Sequence, residues 1–224
     1  MTDTPTSIVH LQEERQNPEL YSGIGGIMKR ITTTAIAVLV TLAPASGFAA
    51  PATCTGSPAA MIDAAQAEMK SGLDRAITAI KNHDQKAVDL LTRWLGVRNS
   101  EQEQRVLGVL RAARGFSDSL TFVCDMANEE GTFEKIVAQA DNGHELLFTA
   151  RYFPYPETGL VSRPTILFHE VTHIPDVANT NGNDNPKEVY AKDEVLKLAN
   201  DKPADALRNA SNYQYFLGAF LYGE

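Results

Sequence analysis

Apolar residues recur every three or four positions at Met61, Ala65, Met69, Leu73, Ala76 and Ile80, and this spacing predicts a long amphipathic helix from Ser57 to Ile80. Two stretches with the same period follow, Gln85 to Leu95 and Ser100 to Ala113, separated by the turn Gly96-Val97-Arg98-Asn99. Together they predict an N-terminal helical layer. Between Ser117 and Tyr155 the pattern changes. Leu120 to Val123, Phe133 to Ala138 and Glu145 to Tyr152 are short, β-prone and bounded by Gly, Asn and Asp, which predicts a small sheet of about three strands. Ser162 can cap a further helix whose early Pro164 fits a first turn. Thr165 to His173 then continues as an apolar helix that Pro175 ends, and a polar, Asn-rich loop runs from Asp176 to Pro186. Two closing helices are expected, Lys187 to Asn200 and Pro203 to Tyr222. No internal repeat or linker interrupts the pattern, so one α+β domain is the economical organisation.

Composition sharpens this in two ways. The 224 residues, 43% hydrophobic, suffice for one substantial core. A net charge of -8 without any basic tract leaves no footprint for a nucleic-acid partner.

The N-terminal region stands apart from the fold. Met28-Lys29-Arg30 is a positive start, Ile31 to Leu42 an apolar run, and Ala45, Ser46, Gly47, Ala49 and Ala50 a zone of small residues. That order reads as a secretory signal peptide over residues 28–50, cut after Ala49 or Ala50. The competing reading is an uncleaved membrane anchor, which Pro44 and Gly47 weaken. Residues 1–27 are polar and unpatterned, which makes Met28 a candidate translation start. The folding domain is then 51–224, expected to be secreted or periplasmic, with no stable membrane association after cleavage. Cys54 and Cys124 are the only cysteines. An even pair in an oxidising compartment predicts one disulfide, worth about 4 kcal/mol in the chain-entropy model.

The chemistry is concentrated in His169-Glu170-Val171-Thr172-His173, an HExxH segment. On a helix, residues four apart share a face, so both imidazoles can reach one zinc ion. Glu170 points beside the metal, where it can act as general base towards a water that the metal acidifies. A catalytic zinc takes three protein ligands and leaves a fourth position open, so a third ligand is required. The metzincin spacing would put a histidine where the chain has Asn179, which excludes that class. A thermolysin-like spacing leads to Asp193 and Glu194, and the loop offers the nearer Asp184 after Gly182.

The segment His169 to Val177 followed by Asp184 resembles the aspzincin metallopeptidases, the deuterolysin and peptidyl-lysine metalloendopeptidase group. The likeness continues through Tyr190, Leu198-Ala199, Pro203, Ala206 and the closing segment Asn209 to Phe216, and upstream through Arg93-Trp94-Leu95-Gly96. Cys54 and Cys124 match one disulfide of the family. The resemblance implies a zincin-like fold holding one zinc ion. Its ligands would be His169, His173 and Asp184, its general base Glu170, and Tyr190 would be the phenol that steadies the oxyanion. In the family pattern the tyrosine follows the aspartate ligand by three residues, whereas here Asp184 and Tyr190 are six apart and Lys187 occupies the usual ligand position. Read as an insertion, this keeps Glu188, Asp193 and Asp176 open as alternatives to Asp184. Lysine-specific members carry acidic side chains where this chain has Ser211 and Gln214, so these two are the candidate substrate-pocket residues and a strict lysine preference is not supported.

The expected function is therefore a zinc metalloendopeptidase acting as a monomer on protein or peptide substrates. A zincin-fold interaction module that has lost catalysis, or a toxin-like protease effector with one narrow target, is the alternative. Ala150 to Phe153 is the candidate edge strand for an extended substrate. Trp94 is assigned to the core, and His83 and His144 to the solvated surface.

Overall fold

The computed structural model describes residues 52–126, 137–139, 144–180 and 187–223. The expected helical layer is present as α1 (Gly56–Lys81), α2 (Gln85–Leu95) and α3 (Ser100–Phe116). Local chemistry sets the ends of the latter two. The Asp84 carboxylate accepts from the Ala87 backbone N–H at 3.1 Å to start α2, and Asn99 Oδ1 accepts from Gln102 N at 2.9 Å to start α3. Inward-facing Ile62, Met69, Leu73 and Ile80 of α1, Trp94 of α2, and Val106 and Leu110 of α3 are all fully shielded.

Gly96 ends α2 in the left-handed region at φ 65°. A Cβ there would also stand 2.3 Å from the Ala199 carbonyl oxygen. Glycine is thus required twice over, by conformation and by close approach of a neighbouring backbone. Gly96→Ala is expected to lower the unfolding free energy by about 2 kcal/mol, from left-handed strain and overpacking together. A denaturant titration checks this; an unchanged midpoint would show that the 199–203 backbone yields without cost.

Among the described residues, four strands form one sheet in the order β1-β2-β4-β3. They are β1 (Ala52–Thr53), β2 (Thr121–Asp125), β3 (Val137–Gln139) and β4 (Glu145–Thr149). β2 and β4 run parallel with Val123 opposite Leu147, while β1 and β3 flank them antiparallel. Cys54 is bonded to Cys124, tying the chain just after β1 to β2.

One sequence expectation is overturned here. Ala150 to Phe153 is not an edge strand: β4 ends at Thr149 and the chain turns through residues 150–154. β4 is itself paired on both sides, so it offers no free edge. Tyr152 is fully buried, with its ring edge-on to Phe148 and Phe153 and its hydroxyl donating to the Arg163 carbonyl at 3.1 Å. Arg163 in turn donates to the carbonyls of Phe153 and Tyr155. The aromatic cluster anchors the next helix and is packing.

That helix, α4 (Arg163–His173), starts at Ser162, whose backbone N–H donates to Thr165 Oγ1 at 2.9 Å, with Pro164 in the first turn. Every residue of α4 is buried, and it packs against α1, α3 and α7 with β3 beside it. The closing region departs from expectation in two places. The first closing helix, α5 (Lys192–Asp201), begins five residues later than the pattern indicated, because residues 187–191 are not helical and Ala191, just before it, has an extended backbone. The second is broken into α6 (Pro203–Ala206) and α7 (Ala210–Tyr222), with Asn209 at the break. Asn209 at the break is hydrogen-bonded to the Val189 backbone in the non-helical segment before α5. His144 is exposed, as the sequence suggested, and its ring stacks on Phe116. Among the described residues, no helix is long and apolar enough to cross a membrane.

Candidate metal centre

One turn of α4 separates His169 from His173, and their rings meet edge to face with centroids 4.8 Å apart. His169, Glu170 and His173 each bring a ligand-type atom within 4.8 Å of the others, all three residues being buried. Each imidazole is held from behind through Nδ1, which leaves Nε2 facing the common centre. His173 Nδ1 lies 2.6 Å from Thr180 Oγ1, and Thr180 is fixed in turn by its N–H donating to the Thr172 carbonyl. His169 Nδ1 lies 3.4 Å from Ser211 Oγ, and Gln214 stands near enough to His169 to offset a part of the lowering of its pKa. Thr180 has no signature in the sequence; a hydroxyl seven residues past His173 is one among many polar loop residues until the chain is seen to turn back at Ile174.

Ser211 and Gln214 are therefore found behind His169 on α7, 1% and 4% exposed. Asp184 lies outside the described residues. The structure instead brings Glu188 to the two histidines: Oε1 is 3.4 Å from His169 Nε2, and Oε2 is 3.7 Å from His173 Nε2. Glu170 Oε1 stands farther off, 4.0 Å from His169 Nε2. Tyr190 joins the same cluster, its ring stacked on His169 with centroids 5.9 Å apart and its hydroxyl donating to Glu188 Oε2 at 3.0 Å. Among the alternatives to Asp184, Asp193 and Asp176 make no such approach in any contact found among the described residues.

Residues 187–190 are locked by α7. Asn209 Oδ1 accepts from Val189 N at 3.0 Å while its Nδ2 donates to the Val189 carbonyl at 3.1 Å and to Asn212 Oδ1 at 2.6 Å. Tyr215 donates its hydroxyl to the Tyr190 carbonyl and stacks on Trp94. Asn212 reaches the carbonyls of Trp94 and Val195, joining α2 and α5 to the same point. The segment Asn209 to Tyr215 thus builds the back wall of the centre.

Burial and the neighbouring His173 hold the His169 pKa well below its ordinary value, and burial lowers that of His173 to about 4. Both imidazoles are neutral at neutral pH and present lone pairs. Burial, and secondarily the Glu188 charge, raises the Glu170 carboxyl well above the usual range. Two neutral imidazoles and a carboxylate converging in a shielded site are a donor set that suits zinc.

The family model of the lysine-specific metallo-endopeptidases, the aspzincins, matches residues 80–218. No curated protein matches the chain. Among solved structures, a zinc peptidase from Grifola frondosa is similar at 21% identity and a TM-score of 0.61, covering 74% of this chain and 97% of that one, which is a likeness of fold. With the matched span running from the end of α1 through α4 into α7, the chain belongs to the aspzincin metalloendopeptidases, a zinc-dependent family.

Proposed function

We propose that the protein is an exported endopeptidase that cleaves peptide bonds without a covalent intermediate. The observation that carries this reading is the convergence of His169 Nε2, His173 Nε2 and a carboxylate, with the Glu170 carboxyl beside them. Zinc held there supplies Lewis acidity, polarising the scissile carbonyl and acidifying water. Glu170 takes the proton from the attacking water and returns it to the leaving amine. Its raised pKa suits a group that must be base first and acid second. Tyr190 is placed to donate to the oxyanion, a contribution of about 2.7–4 kcal/mol where such donors act. To do so its hydroxyl turns from Glu188 Oε2 to the substrate.

Export is supported by the signal-like segment 28–50, outside the described residues, and by the Cys54–Cys124 disulfide, which suits an oxidising compartment. Strict lysine preference is not part of the proposal. Ser211 and Gln214 are neutral and buried, with Ser211 against His169, so neither supplies a carboxylate to a substrate ammonium.

The test is metal analysis of the purified protein together with casein digestion, with and without chelator. One zinc per chain and cleavage that stops on chelation and returns with added zinc are expected. Bound zinc without chelator-sensitive cleavage of casein, or of a proteome-derived peptide library, would favour an interaction module.

A further inference from the structure

We infer that Glu188, and not Asp184, supplies the third protein ligand of the metal held by His169 and His173. The inference rests on the zinc reading above and specifies its coordination.

Distances carry it first. Ligand atoms about 2.0–2.1 Å from a tetrahedral zinc lie about 3.3 Å from one another. Glu188 stands 3.4 Å and 3.7 Å from the two Nε2 atoms, one carboxylate oxygen facing each ring. A cation on the side common to all three would meet both Nε2 atoms and the carboxylate. Glu170 has one approach, to one ring, at 4.0 Å.

Preorganisation carries it second. The backbone following Glu188 is held at three atoms, Val189 N and O by Asn209 and Tyr190 O by Tyr215. Glu188 Oε2 also accepts from the Tyr190 hydroxyl. A carboxylate fixed by its own main chain and oriented by a phenol is arranged as metal ligands are, with supporting hydrogen bonds that set its direction. The adjoining Lys187 is exposed and, as an ammonium, offers no lone pair. Tyr190 thereby acquires a second role as a positioning residue for the ligand.

The experiment replaces each candidate by cysteine in the whole protein and loads it with cobalt(II). Glu188→Cys is expected to show a thiolate-to-cobalt charge-transfer band in the near ultraviolet, and Asp184→Cys to lack one. In parallel, zinc affinity is measured by competition with a chromophoric chelator. Glu188→Gln should weaken zinc by more than about 100-fold, beyond the 10–100-fold that loss of a supporting hydrogen bond produces, whereas Asp184→Asn should stay within about threefold. Circular dichroism of the metal-free variants shows whether each has folded. A charge-transfer band from Asp184→Cys alone, with Glu188→Gln retaining wild-type zinc affinity, would overturn the inference and leave the peptidase reading intact. Absence of zinc from the wild-type protein would overturn both.

Discussion

Glu170→Gln is expected to abolish proteolysis while the protein continues to bind one zinc ion. The amide matches the carboxylate in size, and Glu170 is 9% exposed, so the replacement fills the same space. What it removes is the ability to accept a proton. General acid and base catalysis by a positioned side chain contributes about 10²–10⁴-fold, and Glu170 is asked to act at both ends of the reaction, so the loss should reach the upper part of that range. Zinc content should not follow activity down, because the atoms that converge best are on His169, His173 and Glu188, with Glu170 Oε1 4.0 Å from the nearer imidazole nitrogen. Residual activity should also lose its acid limb, since the group whose pKa is raised by burial and by Glu188 is no longer titratable. Full activity in this variant would sink the mechanism; loss of zinc with activity would make Glu170 a ligand.

How much of this was readable without coordinates depended on whether the information was local. The 3.6-residue period placed α1, α2 and α3 within a few residues because one face of each meets a single core. Ser162, Pro164 and the HExxH placed α4 because a cap, a proline and an i, i+4 pair are local facts. The strands were found as segments, but not their pairing: β2 and β4 lie parallel with β3 on the far side of β4, a matter of tertiary contact. Ala150 to Phe153 read as strand from its side chains, yet Tyr152 is drawn into a turn by a hydrogen bond to Arg163, eleven residues on.

The carboxylate beside the two histidines shows the same limit. The sequence points to Asp184, with Glu188 among the alternatives, and the closing pattern beginning at Lys187 predicts a helix there. Residues 187–191 form no helix, and Glu188 stands beside the two imidazoles. Asn209, twenty positions beyond Val189, holds that backbone by two hydrogen bonds, and in the sequence its side chain gives no hint of this pairing.

Asn209→Ala is accordingly expected to damage the metal centre from outside it. Asn209 is 2% exposed and makes three hydrogen bonds, two to the backbone of Val189 and one to Asn212. Alanine leaves their partners without those bonds. At about 1–3 kcal/mol for each polar group so stranded, with water able to reach the half-buried Val189, a loss of about 3–5 kcal/mol in unfolding free energy is expected, measurable by denaturant titration. The functional effect follows from Glu188. Once the Val189 backbone is released, residues 187–191 can rejoin the helical period that their sequence favours, and the carboxylate loses its fixed approach to His169 and His173. Zinc affinity should fall about 10–100-fold, as for loss of a supporting hydrogen bond to a ligand, and activity at limiting zinc should fall with it. Excess zinc should restore much of the activity, because the ligands themselves are intact. A variant that is destabilised but binds zinc as tightly as wild type would show that Asn209 supports the fold alone. Unchanged stability would mean that the clamp on Val189 is dispensable and that the non-helical path of residues 187–191 is set by something other than α7.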